Sequence, residues 1–259
     1  MSTFWNRTLA ITSITAAAAL GLTGCGTDTS AAPSTSTEQT TEAPAASDSG
    51  QLTVDNFAER ISAAQLAAGS VHNESTVVMG EQKTTMSGDV ALSDDPAQVK
   101  MSLTMSAPTK MELRLVDSML YMNMGEMSQN KFLATDLTSP EAAPYASMIT
   151  QSNPQEQMAI FASAVKDFQV SDETTEIDGV ETYEYTLTLD TATLLEGQGT
   201  ATEGLELPET MSYVMNIGTD DLPRRMVSEL NGVSTEMNYS KWGEAVTVEA
   251  PTADEIAEG

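Results

Sequence analysis

The stretch Val99-Lys100-Met101-Ser102-Leu103-Thr104-Met105-Ser106, followed by Lys110-Met111-Glu112-Leu113-Arg114-Leu115, decides the fold. Apolar and polar residues alternate strictly, and successive strand side chains point to opposite faces, so each run predicts a strand with one apolar and one wet face. The apolar parity is Val99, Met101, Leu103 and Met105 on the first strand and Met111, Leu113 and Leu115 on the second. Lys100 and Arg114 take the other parity and are expected to point to solvent. Two such runs separated by a short connection pair antiparallel.

The same period extends outward in both directions. Upstream, Ser75, Val77 and Met79 alternate, Gly80-Glu81 forms a turn, and Met86, Gly88, Val90 and Leu92 alternate again; downstream, a strand runs Met119 to Met124. After a helical middle, strands resume from Phe168 to Ile177 and then through Tyr183, Tyr185, Leu187 and Leu189. They continue through Met211, Tyr213, Met215 and Ile217, through Arg224 to Leu230, and through Val233, Thr235, Met237 and Tyr239. Asp178-Gly179 and Asn231-Gly232 are hairpin signals, because the favoured two-residue turn needs positive φ at both positions.

Helices come from a different pattern. Thr53 is placed to cap a helix reaching Ala68, with Val54, Phe57, Ile61 and Ala64 on one face and Gly69 as the stop. Ser139-Pro140-Glu141 predicts a short helix. Asn153-Pro154-Gln155-Glu156 predicts a capped one with Met158, Phe161, Ala162 and Val165 as its apolar stripe, and Asp190 to Glu196 predicts a third, before a Gly-rich loop from Gly197 to Gly204. The expected fold is α+β, a large antiparallel sheet with helices packed on one face.

The N-terminus has a separate logic. Arg7, the apolar run Leu9 to Leu22, and Leu22-Thr23-Gly24-Cys25 with the chain's single cysteine predict a lipoprotein signal peptide over residues 1–24. The Cys25 thiol would carry a thioether-linked diacylglyceryl group with palmitate-type chains, a lipid anchor at the extracytoplasmic face of the cell membrane. Residues 25–50 are nearly all Ser, Thr, Ala, Pro, Gly, Glu and Asp, so this segment is expected to be a flexible tether with an end-to-end distance of roughly 25 to 30 Å. Residues 51–259 remain for one folded domain.

Composition excludes several functions. With 38 acidic against 11 basic residues and a net charge of −27, the chain lacks the basic clusters that phosphate backbones require, so nucleic acid is not an expected partner. His72 is the only histidine, is read as a solvated residue at a helix-to-strand transition, and has no Gly-x-Ser-x-Gly serine to activate. Asp94-Asp95 and Asp220-Asp221 read as solvated turns. Met119, Met122, Met124 and Met127 are close enough to suggest Cu(I) ligation, but strand alternation divides them between faces. No enzyme, metal or cofactor is expected. The 16 methionines against 5 phenylalanines, many at inward parity, suit either an aromatic-poor core or a pocket for variable apolar shapes.

The order of pieces near the C-terminus, Asp221-Leu222-Pro223-Arg224-Arg225-Met226, Asn231-Gly232, Tyr239-Ser240-Lys241-Trp242-Gly243-Glu244, Val246-Thr247-Val248 and Ala250-Pro251, resembles the LppX/LprG family of actinobacterial lipoproteins. The lipobox, linker, first helix and Leu120-Tyr121 strand extend the likeness. The resemblance implies a half-barrel whose helices cross the concave side and enclose an apolar cavity, similar in architecture to LolA and LolB carriers. It also implies binding and transfer of acylated envelope lipids or glycolipids. Val99, Met101, Leu103, Met105, Met111, Leu113, Leu115, Met211, Tyr213 and Met215 are the expected cavity-facing set. The alternative is a non-catalytic surface interaction protein with a filled core.

Overall fold

The computed structural model describes residues 50–106, 110–139, 142, 145, 153–204 and 206–257. The expected signal, Cys25 and nearly all of the tether lie outside these residues, as does most of the helix expected at Ser139-Pro140-Glu141. The described chain forms one curved, unclosed sheet of eleven antiparallel strands with helices on one side, the α+β sheet that the alternation implies in the half-barrel form that the resemblance implies.

The strands are β1 (Ser70–Met79), β2 (Gln82–Ala91), β3 (Lys100–Ser106), β4 (Lys110–Val116), β5 (Met119–Asn123), β6 (Phe132–Asp136), β7 (Val165–Ile177), β8 (Val180–Asp190), β9 (Thr210–Gly218), β10 (Pro223–Leu230) and β11 (Val233–Ser240). Their spatial order is β6-β5-β4-β3-β2-β1-β11-β10-β9-β8-β7. Two meanders, β1–β6 and β7–β11, are therefore joined along one seam, where β1 pairs with β11 from His72↔Ser240 to Met79↔Val233. Both hairpin signals hold: Asp178 and Gly179 sit at φ 52° and 77°, and Asn231 and Gly232 at 50° and 76°. At Gly88, which lies between Asn73 and Leu103 in the register, a Cβ would collide with the Ser102 carbonyl.

Helix α1 (Phe57–Ala68) starts later than expected. Thr53 contributes its backbone carbonyl to the Phe57 N–H at 2.9 Å, while Asn56 Oδ1 accepts from the Thr53 N–H, so the polar side chain tightens the entry turn. Gly69 ends the helix at φ 74°. Helix α2 (Pro154–Ala164) begins on Asn153, whose Oδ1 accepts from Gln155 N–H at 2.9 Å and Glu156 N–H at 3.3 Å. Its buried face is Pro154, Met158, Phe161 and Ala164; Ala162, expected there, is exposed because the stripe keeps the i, i+4, i+7 spacing from Pro154. Helix α3 (Thr191–Gly197) is capped by Asp190, which accepts from the Thr193 N–H at 2.9 Å. That hydrogen bond, with Lys166 nearby, holds the Asp190 carboxyl below its usual pKa.

The main core lies between the three helices and β8 to β10, around Phe57, Ile61, Met158, Phe161, Leu187, Leu189, Leu194 and Met215. A smaller cluster, Val71, Val90, Val99, Met101 and Leu115, packs β1 to β4. After β11 the chain continues as a strap: Gly243 N–H donates to Ser70 O, Arg114 Nη1 donates to Glu249 O, and Phe132 of β6 bridges in parallel to Ile256. Among the described residues no helix is long and apolar enough to cross a membrane.

Candidate functional site

A pocket of about 340 Å³ opens at the seam. Its floor is the concave face of β1, β2 and β3 from one meander and β9, β10 and β11 from the other, and its roof is Ile61 and Gln65 of α1 with Pro154, Gln157 and Met158 of α2. Among its described lining residues none is charged. Such a space favours an apolar guest and penalises a bare ion, which would lose its hydration without a partner.

Local pairs hold the roof in place. Arg60 of α1 meets Asp221 with two hydrogen bonds, Nε to Oδ2 at 3.0 Å and Nη2 to Oδ1 at 2.7 Å. Asp221 stands at φ 62° in the β9–β10 turn and is buried, so the solvated turn expected for Asp220-Asp221 is instead an anchor for the helix. Asp220 pairs with the buried Arg224 at 2.6 Å. Just before α1, the Leu52 N–H donates to the Tyr185 hydroxyl at 3.0 Å.

At the β11 end of the floor, the Tyr239 hydroxyl donates toward Met226 Sδ at 3.3 Å and Met237 Sδ at 3.5 Å, and its ring stacks on Trp242. Burial, with Tyr213 nearby, pushes the Tyr239 phenol well above the usual tyrosine range. Trp242 is fixed in turn by its Nε1–H donating to Pro223 O at 2.9 Å.

Of the residues expected to face a cavity, Met101, Leu103 and Met215 line this pocket. Val99 and Leu115 are buried in the smaller cluster, with Leu113 packed against it. Met105 and Met111 share the concave face through the register Met105↔Met111 and are half-buried. Met211 is buried in the main core and Tyr213 lies edge-on to Phe161 at 5.0 Å, so neither meets the pocket. Sequence reasoning left Gln65, Asn73, Gln157 and Trp242 off the candidate set although all four line the pocket. The parity of Asn73 with Ser75 and Val77 was the available signal for one of them.

The opposite face also differs from expectation. His72 lies in β1, with Nδ1 2.7 Å from Asp89 Oδ1, and is not a loop residue. Lys100 is half-exposed, 3.8 Å from Asp117. Arg114 does not stand free in solvent: it pairs with Glu112 at 2.7 Å and lies over the Phe132 ring at 4.9 Å. Among the described residues no cluster of three or more His, Cys, Asp or Glu could hold a metal ion.

No protein-family model matches the chain, and no curated protein sequence does. Solved structures do. LprF from Mycobacterium bovis superposes with a TM-score of 0.54 at 15% identity, over 77% of this chain and 97% of that one. The Mycobacterium tuberculosis lipoprotein LppX superposes with a TM-score of 0.51 at 16% identity, over 76% of this chain and all of that one (100%). The order of C-terminal pieces and the strand alternation thus converge on one architecture, and the chain has the fold of the LppX/LprG lipoprotein structures.

Proposed function

We propose that this protein is a membrane-anchored, non-catalytic lipoprotein that binds acylated envelope lipids in the seam pocket and carries them away from the bilayer. The observation that carries this reading is the uncharged, methionine-rich pocket between α1, α2 and the concave face. Acyl chains would enter it passively, driven by about 0.8 kcal/mol per methylene removed from water. The fold shared with LppX and LprF supports the same reading. A filled-core interaction protein fits the pocket less well.

Native mass spectrometry of the full chain, purified from a host rich in envelope lipids, is expected to show adducts of lipid mass that disappear on organic extraction. An apo mass throughout would sink the proposal. The anchor is tested separately. Cys25→Ala is expected to move the protein from the membrane fraction to the soluble one or to leave its signal uncleaved, and unchanged membrane fractionation with a cleaved signal would rule lipidation out.

A further inference from the structure

The strand registers align six methionines in one row across the concave face, with a serine at its centre. Met111 pairs with Met105, Met105 with Met86, and Met86 with Ser75. Ser75 then pairs with Met237, Met237 with Met226, and Met226 with Met215. Directly paired residues share a face, so three methionines flank Ser75 on each side over seven strands. At about 4.8 Å per strand the row spans on the order of 29 Å. The buried Tyr185, paired with Met215, closes one end.

Ser75 breaks the row at a buried position of the pocket. It is 7% exposed, as is Gln65 of α1, and both line the pocket with Asn73 and Gln157. The side chains of these four residues make no hydrogen bond to another described residue. Side chains as covered as those of Ser75 and Gln65 ordinarily have partners, and Asn73 and Gln157 beside them are half-buried. Here the pocket supplies donors, one hydroxyl and three carboxamides, with no charge beside them. The geometry points to an uncharged acyl ester whose carbonyl sits at Ser75, with one apolar arm along Met86, Met105 and Met111 and the other along Met237, Met226 and Met215. This assignment rests on the lipid-binding reading above and adds to it the position of the polar linkage: mid-ligand, with chains on both sides. A carboxylate or phosphate at the same place would be buried without a counter-charge.

Two isomeric esters test it, because dodecyl dodecanoate and ethyl docosanoate have the same atoms and differ in where the ester lies. The first, extended, is on the order of 30 Å long from bonds of about 1.5 Å in zigzag. The full chain, stripped of co-purifying lipid, is offered an equimolar, differently isotope-labelled mixture in detergent micelles, and the bound ratio is read by mass spectrometry after extraction. Dodecyl dodecanoate is expected to be enriched roughly tenfold, the worth of one hydrogen bond to a group otherwise left unpaired. Ser75→Ala and, independently, Gln65→Leu should lower that enrichment several-fold while total ester load is kept. Equal loading of the two isomers by the wild-type protein, or full enrichment in both variants, overturns the inference and leaves lipid binding intact. If neither ester loads, both the inference and the lipid-binding reading are overturned.

Discussion

The β7–β11 meander and the β1–β6 meander follow the same antiparallel pairing and the same one-sided apolar patterning, yet their concave faces have different fates. On β7–β11 the helices press Phe57, Ile61, Met158, Phe161 and Leu194 into Leu187 and Leu189, both fully buried. On β1–β6 the same parity ends in the half-buried Leu103, Met105, Met111, Leu113 and Met122 beside a much smaller buried cluster. The patterning of a strand thus decides which face is apolar. Whether that face becomes core or wall is decided by what the rest of the chain lays over it, and the pocket lies where the two conditions meet.

The sharpest way to break this contrast is to truncate the filled half. Leu187→Ala is expected to lower the unfolding free energy by about 2 to 5 kcal/mol, measured by urea denaturation, since a close-packed site cannot collapse around the missing methyls. A loss below about 1 kcal/mol would mean that this half is loosely packed as well. The same measurement on Leu103→Trp sharpens the contrast from the other side. The new ring has the pocket to enter, so its cost should fall below the roughly 1 to 3 kcal/mol of overpacking in a dense core. Lipid load should nevertheless drop several-fold by native mass spectrometry. Normal loading would place Leu103 away from the ligand.

The smallest effect concerns the seam itself. Burial favours the neutral Tyr239 phenol, so its folded pKa lies above that of the unfolded chain. Its stabilising contribution is complete below the unfolded tyrosine pKa of about 10 and is lost as pH rises beyond it. Wild-type protein should therefore lose stability between pH 9 and 11 faster than Tyr239→Phe does, whereas at pH 7 the two should differ by no more than about 1 kcal/mol. Parallel curves would show that Tyr239 titrates as it does in water.

Much of the sheet and its helices was legible in the sequence, for reasons that are local, but the contrast between its halves was not. Alternation around Met101 and Leu113, the Asp-Gly and Asn-Gly turns, and the Asn153 cap each depend on neighbours within a few residues. What escaped was non-local. The short β6, Phe132 to Asp136, has no clean alternation and owes its burial at Phe132 to the C-terminal strap and Arg114. Asp221 reads as a turn acid until Arg60, from a distant helix, is placed against it. The methionine row is invisible along the chain because it exists only across seven strands, and a one-residue slip in any pairing would dissolve it.

The seam between β1 and β11 also has a consequence in time. Its partners, such as His72 and Ser240, stand at opposite ends of the folded domain's sequence. As the chain emerges N-terminus first, β1 through β6 are complete while β1 still offers an unpaired edge, and its neighbour is the last strand to be made. Loop closure over so long a separation is slow, and an open strand edge invites pairing with other chains. Maturation of this sheet is therefore a waiting problem: something must shield β1 until β11 arrives, and the acidic repulsion of a chain with net charge −27 is a safeguard already written into it.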